Sequence, residues 1–259
     1  MNHRMTKNNR ISSMTYHQNP WRQPQMVKRD FLLILVYVLG NMYLPFILAD
    51  AINWLSFTLL HRPSGLTYTS QLYALLAQLS VVLIFWALHY RALLNTAIAR
   101  VKQLQRYIYL MIIVLLVMYV ANIVYANVMQ FLPEHWQFHD TQNEQEIRKL
   151  FSNIKVWPLL FLNIVIITPI VEELLFRHLL IHELGKKLSY PVMSIISILL
   201  FAGIHVTDAT SPFEIGPYLI MATSFVVAYN MSGRNLAVTI ALHSFNNLLS
   251  FILTLLQFL

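Results

Sequence analysis

The chain has 259 residues, 57% of them hydrophobic and 11% charged, with a mean hydropathy of +0.56. That is too apolar for an ordinary soluble domain and points to a membrane protein of several spans. Lys and Arg outnumber Asp and Glu by 18 to 11, a balance that would suggest nucleic acid as a partner, yet the placement of the charges explains it better. With no Cys, disulfides, thiolate chemistry and Cys-ligated metal centres are excluded, so catalysis must draw on His, Glu, Asp, Ser or Asn.

Residues 1–30 carry Arg4, Lys7, Arg10, Arg22, Lys28 and Arg29 against Asp30 alone, and read as a flexible basic tail. Phe31 to Ala51 supplies about the 20 apolar residues that cross a bilayer. It exceeds a signal-peptide core, lacks a small-residue cleavage site after it, and is expected to be a retained span. Further spans are expected at about 70–90, 108–130, 156–176, 190–206, 216–231 and 236–258, for about seven in all. Each should be helical, because helices satisfy their backbone groups internally, and the alternation of a membrane barrel is absent. The expected class is therefore all-α, a polytopic transmembrane helical bundle. It divides into a cytoplasmic tail (1–30), three N-terminal helices (31–131), an extracytoplasmic loop (132–155) and a four-helix core (156–259).

Orientation follows from the basic residues. With the N-terminus cytoplasmic, the inner side takes the tail, Arg91, Arg100, Lys102, Arg106, Arg177, Lys186, Lys187 and Arg234. The outer side takes Arg62, Arg148, Lys149 and Lys155, diluted by Glu134, Asp140, Glu144, Glu146, Asp208 and Glu214. The basic excess thus marks a multi-pass protein of the cell membrane, in contact with anionic lipid and not with nucleic acid.

Three carboxylates fall inside apolar segments, Asp50, Glu172 and Glu173, where a charge needs a partner or a role. Asp50, one residue from the end of its span, is expected to reach the interface. Glu172 and Glu173 continue the helix that begins near Val156 and differ by about 100° around it. Glu173 and Arg177 form an i, i+4 pair with the acid first, and so partly neutralise one another. Glu172 has no local cation, which suits a general base or acid. The plainer alternative is that both glutamates pair with other helices and only fix packing.

Two histidines also lie in later apolar spans. Phe201-Ala202-Gly203-Ile204-His205 puts an aromatic ring and an imidazole on one face, with Gly203 allowing a close helix approach. His243-Ser244-Phe245-Asn246-Asn247 puts His243 and Asn247 one turn apart. Three helices can therefore aim Glu172, His205, His243 and Asn247 into one cavity, enough to activate water and stabilise an oxyanion. Measured along the helices at about 1.5 Å per residue, their depths disagree by about 10–15 Å, which a tilted fifth span would absorb.

The ordered series Glu-Glu-x-x-x-Arg, Phe-x-x-x-His and His-x-x-x-Asn resembles the CPBP family of intramembrane proteases, also called the CAAX protease and bacteriocin-processing or Abi family. The resemblance covers roughly residues 156–250. It implies that 156–259 is the catalytic core, that Glu172 activates the hydrolytic water and that Glu173 and Arg177 hold its helix. His205 and His243 would assist the water or bind a metal, and Asn247 would help stabilise the oxyanion. The family has been described both as metal-dependent and as glutamate-dependent, so the cofactor is either none or one divalent metal, zinc being a candidate. Its ligands would then be Glu172, His205 and His243, with an open water position. Asn247, a poor zinc ligand and a reasonable oxyanion donor, favours the metal-free version.

The expected activity is that of an intramembrane endopeptidase acting on a peptide or membrane-protein substrate. Its cavity is expected to open to the inner leaflet, since the flanking turns carry Lys186, Lys187 and Arg234. The short chain looks most like small bacterial members that resemble bacteriocin self-immunity proteins. Two rivals are a non-catalytic immunity protein that binds a bacteriocin receptor or transporter, and an ion-coupled transporter with Glu172 as a proton relay.

His178 and His182, followed by Glu183, lack the Glu that H-E-x-x-H places after its first His, and are expected at a wet cytoplasmic helix end. His89 is expected at the interface, as are Trp21, Trp54 and Trp157. Ser244 points about 100° away from His243 and makes no dyad, and the Gly-x-Ser-x-Gly signature is absent.

Overall fold

The computed structural model describes residues 24–61 and 69–259. Most of the basic tail, Trp21 and Arg62 lie outside the described residues. Within them every regular element is helical and no strand occurs, as the composition requires.

A 3-10 turn, Lys28–Phe31, leads into α1 (Leu32–Leu60). The chain bends by 41° between Lys28–Leu44 and Phe46–Leu59, on either side of position 45, a proline in the sequence. Because α1 continues to Leu60, Asp50 does not end its span as expected. It lies exposed on the second arm.

The remaining helices are α2 (Thr69–His89), α3 (Leu93–Lys102), α4 (Ile108–Met129), α5 (Gln142–Leu150), α6 (Ile154–Leu184), α7 (Tyr190–Ile204), α8 (Ile215–Met231) and α9 (Leu236–Leu255). Each of the seven expected spans is helical. Among the described residues four helices, α2, α4, α6 and α9, are long and apolar enough to cross a bilayer, and bent α1 makes a fifth if its two arms count as one span. With 15 and 17 residues, α7 and α8 fall short of the roughly 20 that a full crossing takes, so helix length supports fewer than seven spans. Large apolar side chains such as Phe46, Tyr109, Ile113 and Val120 remain exposed on α1 and α4, as a lipid-facing surface demands.

The core lies around α6. Leu75, Val81 and Phe85 of α2 meet Val171, Leu174 and Leu179 of α6, Phe201 of α7, and Ala222, Val226 and Tyr229 of α8. A second cluster joins Val114 and Met118 of α4 to Phe225 and Ala228 of α8 and Val238 and Leu242 of α9. The α4–α8 approach depends on Gly216, where an added Cβ would collide with the Tyr125 ring. The segment expected as a loop over 132–155 contains α5, a polar helix started by a capping box between Thr141 and Glu144.

Candidate active site

The site is built on an irregular helix. α6 has ordinary α turns at Trp157–Leu160 and Thr168–Glu173, and wider i→i+5 turns at Phe161–Ile167 and Leu174–Leu184. In the first wide stretch the Thr168 N–H bonds to the Asn163 carbonyl. The next i+5 donor, for the Ile164 carbonyl, would be residue 169, which is a proline. Asn247 of α9 supplies the missing donor through its side-chain amide, Nδ2 to Ile164 O at 2.9 Å. Asn247 therefore ties α9 to the backbone of α6 beside the glutamates.

Glu173 and Arg177 form the expected i, i+4 ion pair, Oε1 to Nη1 at 3.0 Å, both fully buried. The guanidinium lies 4.8 Å from the Phe201 ring centroid and 5.6 Å from that of Phe225, and Nη2 donates to the Ala222 carbonyl at 3.4 Å. His243 Nδ1–H donates to Glu173 Oε1 at 3.1 Å, which leaves Nε2 as the acceptor nitrogen. That Nε2 lies 3.7 Å from Glu172 Oε2. Neighbouring glutamates on different helix faces are thus reached by the two nitrogens of one imidazole.

His205, at the C-terminal end of α7, donates Nδ1–H to the Phe201 carbonyl at 2.7 Å, so its Nε2 is likewise an acceptor and lies 4.0 Å from Glu172 Oε1. The depth disagreement along the helices is closed in the fold, since these contacts are made. Gly203 does not act as expected: a Cβ there would meet nothing within 4 Å. His205 is held instead by Phe201 beneath it and by Tyr218 of α8, whose ring stacks on it with centroids 4.8 Å apart.

Glu172, His205, His243 and Asn247 line one cavity of about 360 Å³, with Tyr218, Met221, Asn246, Ser250 and Thr254. Glu172 Oε2 is buried without a hydrogen-bond partner among protein atoms. Glu173 and Arg177 stand behind this wall and not in it. Asp140, Asn143, Glu144 and Arg148 also line it, so the cavity faces α5. This corrects the expected opening beside Lys186, Lys187 and Arg234. His205 closes the far end of α7, and Asn247, Ser250 and Thr254 run along α9 away from the Gly233 turn.

Sequence reasoning missed the parts that fix α5 over the cavity. The Tyr218 hydroxyl pairs with Thr141 Oγ1 at 2.7 Å and accepts from Asn143 Nδ2 at 3.3 Å. Glu214 accepts from the backbone N–H groups of Thr210, Ser211 and Gln142. Burial raises the Glu214 pKa, but these backbone donors outweigh it and hold the carboxyl below its ordinary value. Tyr218 belongs to no motif, whereas Glu214 closes a capping box with Ser211, a Ser-x-x-Glu spacing that the sequence does carry. Tyr119 of α4, also unflagged, donates to Asn246 Oδ1 at 2.9 Å.

The expected wet helix end is not found. His178 and His182 are buried, and so is His89, because Asp30 folds back between His89 and His178. Trp157, half-buried, donates to the Phe151 carbonyl at 2.9 Å, and Trp54 is exposed.

Residues 154–249 match the family model described as type II CAAX prenyl endopeptidase Rce1-like. No curated protein matches the chain, and no solved structure does.

Proposed function

On the premise that this match supports a CPBP-family intramembrane protease, embedded in a membrane through several spans, we propose that the chain hydrolyses a peptide bond with water activated by Glu172. The observation that carries this reading is the convergence of three acceptors, the Glu172 carboxylate and Nε2 of His205 and His243, on one cavity wall. Converging acceptors select a small hydrogen-bond donor, and water fits.

Glu172 takes a proton from water as the oxygen attacks the peptide carbonyl carbon. It then returns that proton to the leaving nitrogen as the C–N bond breaks. Glu173, bonded to both Arg177 and His243, fixes the tautomer of His243, so that Nε2 accepts the second water hydrogen. Asn247 Nδ2, with one hydrogen on Ile164, offers its second to the developing oxyanion. The same acceptors suit a divalent cation, which Glu172, His205 and His243 would hold. When bound, such an ion would act as a Lewis acid and ease deprotonation of water.

Cleavage of a membrane-embedded or lipidated peptide by the purified full chain tests the reading, with and without chelator. Glu172→Gln should lower turnover by about 10²–10⁴-fold with the fold intact. Full turnover in this variant would end the proposal, and chelator-sensitive turnover would replace its metal-free form. For a role in bacteriocin self-immunity, full protection of cells by Glu172→Gln would favour the non-catalytic binding reading.

A further inference from the structure

The ends of α2 and α6 nearest the Gly185 turn hold a second set of buried ionisable groups, outside the cavity lining. Asp30 accepts from or shares protons with His89 Nε2 at 2.7 Å and His178 Nε2 at 2.7 Å. Glu183, fully buried, accepts from the Val27 N–H at 2.6 Å and from Lys186 Nζ at 2.6 Å. One ligand atom from each of Asp30, His178 and Glu183 lies within 4.8 Å of the other two. His182 stacks on His178, centroids 6.0 Å apart and planes 18° apart. It is 6% exposed, neither ring nitrogen has a hydrogen-bond partner, and its Nε2 lies 3.6 Å from Glu183 Oε1.

We propose that Asp30, His178 and Glu183, with His182 as fourth donor, bind one divalent transition metal of the zinc type at a place separate from the Glu172 cavity. A buried imidazole with both nitrogens unpaired is costly, and a metal gives one of them a partner. Two carboxylates with two imidazoles form a tetrahedral zinc set, whereas calcium takes six to eight oxygens and copper(I) prefers sulfur. His89, held on the other Asp30 oxygen and 3.2 Å from Arg29 Nη2, orients that carboxylate.

Two existing contacts give way on loading. His178 exchanges its Nε2 proton for one on Nδ1, so that the neutral ring ligates through Nε2, and Lys186 releases Glu183 Oε1. Lys186 already lies 3.4 Å from the Gln25 carbonyl, which can retain it. The ion then fastens the segment before α1 to the end of α6.

The test uses the full chain in detergent, stripped with chelator and titrated with zinc alone, reading zinc per chain and the shift in thermal unfolding. Wild type should take one zinc, and the double variant Glu172→Gln, His243→Ala should keep it. His182→Ala, which removes no hydrogen bond within the protein, should bind about 10–100-fold more weakly, and His178→Gln should lose the ion. Unchanged affinity in both histidine variants would overturn the site. Loss of zinc in the cavity double variant would do the same by moving the ion to Glu172, as would a folded wild type that binds none.

Discussion

α6 carries two groups of carboxylates and imidazoles drawn from the same residue types, and they differ in what their oxygens do. At Glu172 an oxygen is buried without a protein partner beside a cavity. At Asp30 and Glu183 the carboxylates are engaged by His89, His178, Val27 and Lys186. The first arrangement presents acceptors to a cavity, and in the second each carboxylate already holds donors that fasten an N-terminal segment against the end of α6. Burial of acid and histidine therefore does not distinguish the two groups, whereas an acceptor left open to a cavity does.

Four variants separate these roles, beginning with the largest expected effect. Arg177→Met strands Glu173 without its cation, and should cost about 3–5 kcal/mol in thermal unfolding while also lowering cleavage. A stable variant with full turnover would show that the pair is neither a brace nor a tautomer lock. Asp30→Asn, by contrast, should destabilise the chain by about 1–3 kcal/mol and leave turnover per folded molecule unchanged. Turnover that drops with Asp30 would mean that the two groups act as one.

Tyr218→Phe keeps the ring on His205 and removes the hydroxyl shared with Thr141 and Asn143. A loss of about 1 kcal/mol is expected, with a faster hydrogen exchange in α5 as the readout. The smallest effect concerns acid. Because the folded-state pKa of Glu214 is depressed, its stabilisation is present above the ordinary glutamate range and is lost as pH falls through the depressed value. Glu214→Gln should flatten that acid limb of the unfolding curve by lowering neutral stability towards the acid value.

The candidate site was legible because its chemistry is written in short spacings. The acid-before-base pair Glu173 and Arg177 and the single-turn pairs Phe201–His205 and His243–Asn247 can be read without knowing the fold. What escaped depends on contacts between distant segments. Nothing in the sequence around Asp30 announces a partner at His178, so a buried anchor read as the end of a tail, and His89, His178 and His182 read as interfacial. Mean hydropathy shows that a segment is apolar but not whether it crosses, and α7 and α8 are apolar yet short. The direction of the cavity was misread because cations on turns report topology, while the lining is set by which half of α9 faces α6. If the N-terminus is cytoplasmic, as the basic residues argue, the α5 mouth lies on the opposite side, and site-directed labelling at Asn143 would locate it.

Proline at 169 and the wide turn before it leave the Ile164 oxygen to be satisfied by Asn247 of α9, 83 residues later. In hydrocarbon an unmatched carbonyl costs roughly several kcal/mol, so during synthesis this helix waits with an unmet demand until α9 arrives. The glutamates sit just beyond that gap. Completion of the candidate site thereby waits on α9, and a nascent chain that has not yet delivered it lacks both His243 and Asn247 beside the glutamates.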